Sequence, residues 1–509
     1  MPDEIPLALT RAEFRELGAS TWSTKVKAAQ TWLIPALVGA AALAVYGLTL
    51  APGLTWAHAG TDGGDLVTAA AVGGVPHPPG YPTYILLGHL FARLPLGSTA
   101  FGFNLLSALA AALAAALITA SVLRCIPPSR AVYFSAWIAG STVAFGPMLW
   151  GQATIAEVHA LNACFVAALC FIALPYKPAP DGLWPAARIG LGLLWGLGLG
   201  NALTLAALAP IVLPALWAGA RGRWIGFAAL ALGLGIYALI PIRANAQPAI
   251  NWGDARSLPN FIWLVSGGLY QGYVGSAPLE LVGERLLSLP RLWLEQLGWI
   301  GAVWIGWGFS SRFQIRRAAP VILSVLLYIA FAIGYNTADS DLYLIPVWLL
   351  SAGYLGLGLG HILGAQPGRL RPVAVGAMAT LSVVAMLATG WHSHDLRQDR
   401  TVDAFAEQAL LPLPLDAILV THADAHTFSL WYYRLAAGWR PDVSIVDARL
   451  AGYAWYEPML IAQGSTPLLP ADRTEAGLVN RLMTLNPTRP VCDLVAQLRE
   501  DGVPTPQCQ

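Results

Sequence analysis

Long apolar runs separated by short polar loops make up most of this chain. A helix needs roughly 20 apolar residues to cross a bilayer. Runs of that kind cover 31–50, 103–123, 131–149, 157–175, 224–242, 291–310, 319–335, 342–364 and 373–391. The stretch 186–218 is too long for one span and is interrupted by G-L-G-L-G-N-A-L-T (Gly196 to Thr204), so two short helices meeting near Asn201 are expected. The pattern predicts a mainly α, polytopic membrane protein of about eleven transmembrane helices.

Basic residues orient those spans, because cytoplasmic loops are enriched in Lys and Arg. With Arg11, Arg15, Lys25 and Lys27 in the cytoplasm, alternation places five basic groups on the same side. These are Arg124 and Arg130; Lys177 and Arg188; Arg221 and Arg223; Arg312, Arg316 and Arg317; Arg369 and Arg371. Merging 186–218 into one span would move the later groups outside, so the split is preferred. The polar segment 1–30 has no apolar run before Trp32 and is expected to remain as an uncleaved cytoplasmic segment. Residues 31–391 then form the transmembrane domain, with a long first outer loop at 51–100.

The tail, 392–509, changes period. A-I-L-V-T-H (Ala417 to His422) reads as a buried strand, Ala423 to Ala437 has helical spacing, and D-V-S-I-V-D (Asp442 to Asp447) is a second strand. Such a strand–helix–strand pattern predicts a small extracytoplasmic α/β domain.

Composition supports a membrane class. Of 509 residues, 56% are hydrophobic and 11% charged, against about 25% charged in soluble domains. A net charge of +1 argues against a nucleic-acid partner. The five cysteines lack metal spacing. Cys125, Cys164 and Cys170 lie in or near spans, whereas Cys492 and Cys508 can pair if the tail is exported. No phosphate-binding glycine loop, zinc-protease motif, CxxC pair or dinucleotide fingerprint is present.

Candidate chemistry gathers at the expected outer face. The first loop carries Asp62, Asp65, His77 and Tyr81 in T-D-G-G-D-L-V-T-A-A-A-V-G-G-V-P-H-P-P-G-Y-P. Gly63 and Gly64 are expected to give a tight turn, L-V-T-A-A-A-V a short helix, and the prolines a rigid frame. A carboxylate held there suits general-base work on a hydroxyl, although either Asp could merely cap the helix. Glu157 and His159 stand at the start of a span, where charge is costly and usually functional. Arg243 ends a span on the outer face against the positive-inside trend, where its planar fork suits a phosphate; an ion pair with Asp254 is the plainer alternative. Trp252, Tyr270 and Tyr273 could stack on sugar rings or form an interfacial belt. A further outer turn carries Asn336, Asp339, Asp341 and Tyr343. In the tail, His422, Asp424 and His426 could meet at a ligand or metal, or serve as cap and packing.

These residues carry a resemblance. D-G-G-D … G-V-P-H-P-P-G-Y-P resembles the D-S-G-E … H-P-P-G-Y-P-L block of a membrane family related to protein O-mannosyltransferases, within the GT-C glycosyltransferases. F-N-L-L-S-A from Phe103, W-G-Q-A from Trp150 with Glu157 and His159, N-W-G-D from Asn251, D-L-Y-L-I-P from Asp341 and D-A-H-T-F-S-L-W-Y-Y from Asp424 follow in order. Asp65 stands where Glu is usual, His159 where Tyr is common, and Ala202 where a polar residue often follows Asn.

The resemblance implies a cell-membrane enzyme that moves a sugar, with inversion, from a polyprenyl-phosphate carrier to a protein, lipid or glycan acceptor on the non-cytoplasmic face. It implies catalytic Asp62 and Asp65, with Asp62 favoured as base, and donor phosphate contacts at Arg243, His77 and Tyr81. Substrate contacts are expected at Glu157, His159, Asn201, Asn251, Trp252, Asp254, Asp341 and Asp424. No metal or other cofactor is called for, because a lipid phosphate leaves with its negative charge already in place. The rival classes are a transporter or lipid flippase, which should show paired repeats and mid-membrane charge, and a non-catalytic subunit that keeps the fold.

Overall fold

The structure is a computed structural model that describes residues 32–508 apart from 127–128, 175–182, 219–221, 299–300, 302–314, 366–369, 466, 471, 473 and 495–505. Five helices are long and apolar enough to cross a membrane: Trp32–Thr49, Thr99–Cys125, Arg223–Asn245, Ser340–Gly364 and Val373–His394. Arg130–Phe145 and Pro147–Ala153 are long and apolar enough only when taken together and are bent by 61° at their junction, with Pro147, which cannot continue the helical ladder, at the bend. Val158–Ala173, Pro185–Leu199, Leu203–Trp217 and Ala318–Gly334 are apolar but shorter. Among the described residues, five helices, or six with the bent pair, meet the length and apolarity that the expected eleven spans require. The expected span at 291–310 begins inside an amphipathic helix, Leu279–Leu297, and most of the remainder lies outside the described residues. The same holds for segment 1–30 and for Lys177, Arg221, Arg312 and Arg369.

Small residues let these helices approach. Pro185–Leu199 lies against Arg223–Leu234 so closely that a Cβ on Gly192 would stand 2.1 Å from the Gly226 carbonyl, a packing favoured where lipid offers no hydrophobic drive. Arg188, expected as a loop charge, is instead fully buried. Its Nε donates to the Leu183 carbonyl at 2.8 Å and Nη2 donates to that of Ala218, covering the C-terminal end of Ala209–Trp217. The helix break falls where the glycine run placed it: Pro185–Leu199 ends, and Asn201 Nδ2 donates to the Val158 carbonyl at 3.2 Å.

The first outer loop folds into two short helices, Gly63–Ala71 and Pro82–Phe91. Two ties hold it to the bundle and a third holds it together. Asn104 Nδ2 donates to the carbonyls of Ala51 (2.8 Å) and Gly53 (2.9 Å). Thr83 donates through N to Gly200 (3.1 Å) and through Oγ1 to Leu197 (2.6 Å). His89 Nδ1 meets the Ala70 carbonyl at 2.8 Å, joining the two loop helices.

In the tail, β1 (Ile418–Thr421), β2 (Ser444–Asp447), β3 (Val491–Asp493) and β4 (Gln507–Cys508) form one sheet of order β2-β1-β3-β4. β1 pairs in parallel with β2 (Ile418 opposite Ser444) and with β3 (Ile418 opposite Val491), and β3 pairs antiparallel with β4. A central parallel strand is covered on both faces, and all four residues of β1 are buried. The helix Asp424–Trp431, continued by a wider turn Tyr432–Ala436, connects β1 towards β2 as the spacing predicts. Cys492 and Cys508 are joined by a disulfide that fastens β4 to β3.

Candidate active site

The site is built where the loop helix Gly63–Ala71 meets the tail helix Asp424–Trp431. Gly63 and Gly64 do not make the expected turn; both lie inside the loop helix. Gly64 serves close approach: a Cβ there would stand 2.4 Å from the Phe428 carbonyl carbon and 2.8 Å from Ser429 N. Trp56 Nε1 donates to Ser429 Oγ at 3.1 Å across the same contact.

Neither aspartate caps the loop helix. Asp62 occupies the N-cap position but makes no side-chain capping bond. Asp65 is completely buried and its two oxygens are fully used: Oδ2 accepts from His77 N at 2.8 Å and meets His77 Nδ1 at 2.7 Å, while Oδ1 accepts from Trp252 Nε1 at 3.1 Å. The other ring nitrogen of His77 faces Asp62 Oδ2 at 3.4 Å. His77 is 1% exposed, whereas the Asp62 side chain keeps 39% of its surface accessible. The line Trp252–Asp65–His77–Asp62 thus runs from a buried anchor to an open carboxylate.

Two pieces of sequence that are remote along the chain make this line possible. Val75 N donates to the Ile250 carbonyl at 2.9 Å, and Trp252 N to the Val75 carbonyl at 3.1 Å. The approach needs glycine at position 74, where a Cβ would stand 2.2 Å from the Ile250 carbonyl oxygen. The Pro78–Pro79 bond is cis. Phe428 lies face to face with His77 at 6.0 Å between ring centres, and Tyr81 meets it edge-on at 5.2 Å.

Charge follows geometry. Burial acts to lower the His77 imidazole, but the charge and hydrogen bond of Asp62, then those of Asp65, hold it well above its ordinary value. Burial acts to raise the Asp62 carboxyl, yet the charge and hydrogen bond of His77, then the charge of His159, hold it below the ordinary carboxylate range. Both shifts favour the charged pair, an imidazolium beside an ionised carboxylate.

The remaining expected residues divide. Glu157, 4% exposed, accepts from its own helix at Val158 N (3.4 Å), and its Oε1 has no partner among the described residues. The His159 ring meets the edge of Tyr343 at 5.5 Å. Asp62 bears electrostatically on both Glu157 and His159. Trp252 is 1% exposed and cannot stack on a sugar; it supports Asp65 instead. Asn251 and Asn201 are also buried, with bonds to the Ala244 and Val158 carbonyls. Asp254 pairs with Arg256 at 2.6 Å, not with Arg243. His77 and Tyr81 are poorly placed for a phosphate, since both ring nitrogens of His77 face carboxylates and Tyr81 packs on that ring.

Arg243 is half-buried, makes no ion pair among the described residues, and donates to the Gly74 carbonyl at 3.3 Å. It lines a crevice of about 10 Å³ with Gly74, Val75 and Gly80, room for a water and nothing larger. In the tail, Asp424 lies near enough to bear on Asp62 and is held by Arg449 Nη2 at 2.8 Å. His422 bonds Asp493 (2.8 Å) and Glu475 (3.2 Å), while His426 stacks on Phe405 at 4.9 Å. The three side chains have separate partners and do not converge on a ligand. Phe428 belongs to the D-A-H-T-F-S-L-W-Y-Y block without a pattern that marks it as a ring partner of His77, and nothing near Arg449 in sequence signals its ion pairs.

Comparisons with known proteins place the chain. A family model described as the protein O-mannosyl-transferase TMEM260 N-terminal domain matches residues 62–236, and one described as TMEM260-associated domain 2 matches residues 402–472. The mouse (Mus musculus) protein O-mannosyl-transferase TMEM260 is 28% identical over 506 residues, covering 89% of this chain and 69% of its own length. A Dictyostelium discoideum protein of the same description is 23% identical over 477 residues, covering 81% of this chain; the chain spans only 57% of that relative. Among solved structures, ArnT from Cupriavidus metallidurans bound to undecaprenyl phosphate superposes with a TM-score of 0.56 at 14% identity, over 90% of this chain and 92% of that one. The fold is ArnT-like.

Proposed function

Starting from a GT-C-fold membrane chain related to the protein O-mannosyltransferases, we propose that it transfers a sugar from a polyprenyl-phosphate carrier to an acceptor hydroxyl at the extracytoplasmic face. Asp62 is the general base. The observation that carries this is the open Asp62 carboxylate aimed by a buried histidine, which is itself fixed by Asp65 and Trp252. A base must be held in geometry as well as in charge.

The reaction is a single displacement with inversion. The acceptor oxygen bonds to the anomeric carbon as the bond from that carbon to the phosphate oxygen breaks, and the acceptor proton passes to Asp62. Polyprenyl phosphate leaves as an anion without needing a proton. The hydroxyl becomes far more acidic as its oxygen bonds to carbon, so a weak carboxylate base suffices. His77 keeps Asp62 ionised and oriented. The scheme balances without a metal.

Arg243 is proposed to hold the donor phosphate. It is a half-buried cation without a carboxylate partner among the described residues, and its bond to Gly74 ties it to the loop that carries His77. A phosphate would reach the guanidinium from its open side, since the crevice behind it is too small. Arg243→Lys replaces a two-point grip with a point charge and should weaken donor affinity roughly ten- to a hundredfold. Unchanged affinity at matched thermal stability would leave Arg243 as a tie to Gly74. The disulfide at Cys492 and Cys508 supports an exported tail. The test of the activity is transfer of radiolabelled sugar from defined polyprenyl-phosphate donors by the purified protein in detergent, with inversion read at the new linkage. A protein that binds donor and acceptor but transfers nothing would be a non-catalytic relative.

A further inference from the structure

A second space opens beside the base. A cavity of about 450 Å³ is lined by His58, Gln152, Glu295, Asp339, Asp341 and His394 among others. That is the size of a ligand site, and its walls come from five separated parts of the chain. His58 and Ala59 are both held in left-handed backbone (φ 55° and 62°), a conformation that costs energy in non-glycine residues and collects at functional sites. The W-G-Q block supports them: a Cβ on Gly151 would stand 3.0 Å from the His58 ring, and Gln152 Nε2 donates to the His58 carbonyl at 2.7 Å.

Two polar atoms here lack partners among the described residues. Gln152 is 0% exposed and its Oε1 is unbonded; His58 Nε2 is likewise buried and unbonded. A buried acceptor with nothing to accept is costly, and an occupant that donates a hydrogen bond would relieve it. His58 also stacks on His394 at 4.8 Å. Burial, helped by His394, pushes the His58 imidazole down to about 4, so this wall is neutral.

The charge of the cavity is negative. None of the described residues that line it is a lysine or arginine; Glu295 is paired with Arg291, Asp339 and Asp341 form no ion pair among the described residues, and Arg285 bears on Asp341 from outside the lining. Such a wall repels a phosphate and attracts a cation. It is therefore unsuited to the lipid-phosphate donor. Its position suits the other substrate: His159 packs edge-on against Tyr343 at 5.5 Å, Tyr343 belongs to the turn Ser340–Leu344 that carries Asp341 of the cavity wall, and Asp62 bears on His159 as well.

We infer that this cavity receives the acceptor, a polypeptide segment with a basic residue beside the hydroxyl that takes the sugar, and that Asp339 and Asp341 select for that positive charge. The inference rests on the transferase reading above, but it is tested by binding alone. The probes are two fluorescent serine peptides, identical except for lysine or glutamate next to the serine. They are titrated onto full-length Asp62→Asn protein in detergent. The lysine peptide should bind about tenfold tighter, the size of one favourable charge contact in a partly solvated site. Adding Asp339→Asn and Asp341→Lys should abolish or reverse that preference, while affinity for polyprenyl phosphate stays unchanged. A reversed preference cannot come from misfolding. Failure of either peptide to bind, equal binding of both, or a preference that survives the substitutions would overturn the inference. Absence of sugar transfer by the wild-type protein would instead count against the function proposed above.

Discussion

The loop helix and the tail helix that pack across Gly64 each bring an aspartate to the same space, and the two are held differently. In the loop, Asp65 is buried between His77 and Trp252, and the buried His77 turns its other ring nitrogen to Asp62, the open end of a rigid line. In the tail, Asp424 has 54% of its side chain exposed and is tied to Arg449, itself one-third exposed. Burial makes the first arrangement both costly and stiff, whereas solvent screens the second. The difference teaches that positioning lies with the loop and adjustment with the tail.

Breaking the buried part should have the largest effect. Asp65→Asn removes a fully buried carboxylate from a protonated histidine and leaves that cation short of a partner. Losing one side of a buried pair costs about 3–5 kcal/mol, so the apparent melting temperature should fall markedly and transfer should be lost with it. A variant of wild-type stability would show that the Asp65–His77 contact is dispensable.

Asp62→Asn should be nearly as severe for chemistry and much milder for the fold. Turnover should fall roughly 10²-fold or more with donor affinity retained. Its pH profile sharpens the point. Because Asp62 is held below the ordinary carboxylate range, the acid limb of wild-type activity should lie under that range. Because His77 is held well above 6.5, activity that depends on the ion pair should persist past neutrality and fail only as His77 loses its proton. The same signs apply to stability: Asp62 contributes until pH falls through its lowered value, and His77 until pH rises through its raised one. An alkaline limb near 6.5 would mean the imidazolium is not stabilised.

Gly64→Ala tests the seam between the two regions. Its Cβ would meet backbone atoms of Phe428, which cannot swing aside, so the tail helix must shift. A cost of about 1–3 kcal/mol follows for overpacking, with reduced transfer as Phe428 moves off His77. Normal melting and normal transfer would show that the two helices can separate freely.

How much of this was legible beforehand varies with the range of the contact. The H-P-P-G-Y-P block, the break at Asn201 and the strand–helix–strand of the tail were readable because each is encoded by neighbours in the chain. Trp252 was read as a sugar platform because aromatics at an outer face fit that role; its bond to Asp65 joins residues 187 apart and leaves no local mark. Gly64 was read as a turn residue for the same reason, since its true constraint is the Phe428 backbone. Spans are hardest to count where apolar helices are short, as at Val158–Ala173, and at 291–310, whose start lies inside the amphipathic helix Leu279–Leu297. The cavity beside His58 has walls from five parts of the chain, so no single motif could announce it.

The smallest effect is expected at Asp424. Asp424→Asn removes the outer carboxylate of the tail network and leaves Arg449 its bonds to Asp447 at 2.7 Å. Asp424 is more than half exposed, so its ion pair with Arg449 should contribute no more than about 1 kcal/mol to stability. Removing its charge also lowers the negative potential around the base. Melting should be nearly unchanged and the effect on transfer a few-fold at most, read as a change in KM for the sugar donor rather than in kcat. A loss as large as that of Asp62→Asn would place Asp424 among the groups that touch the reacting atoms, and the division between a positioning loop and an adjusting tail would have to be abandoned.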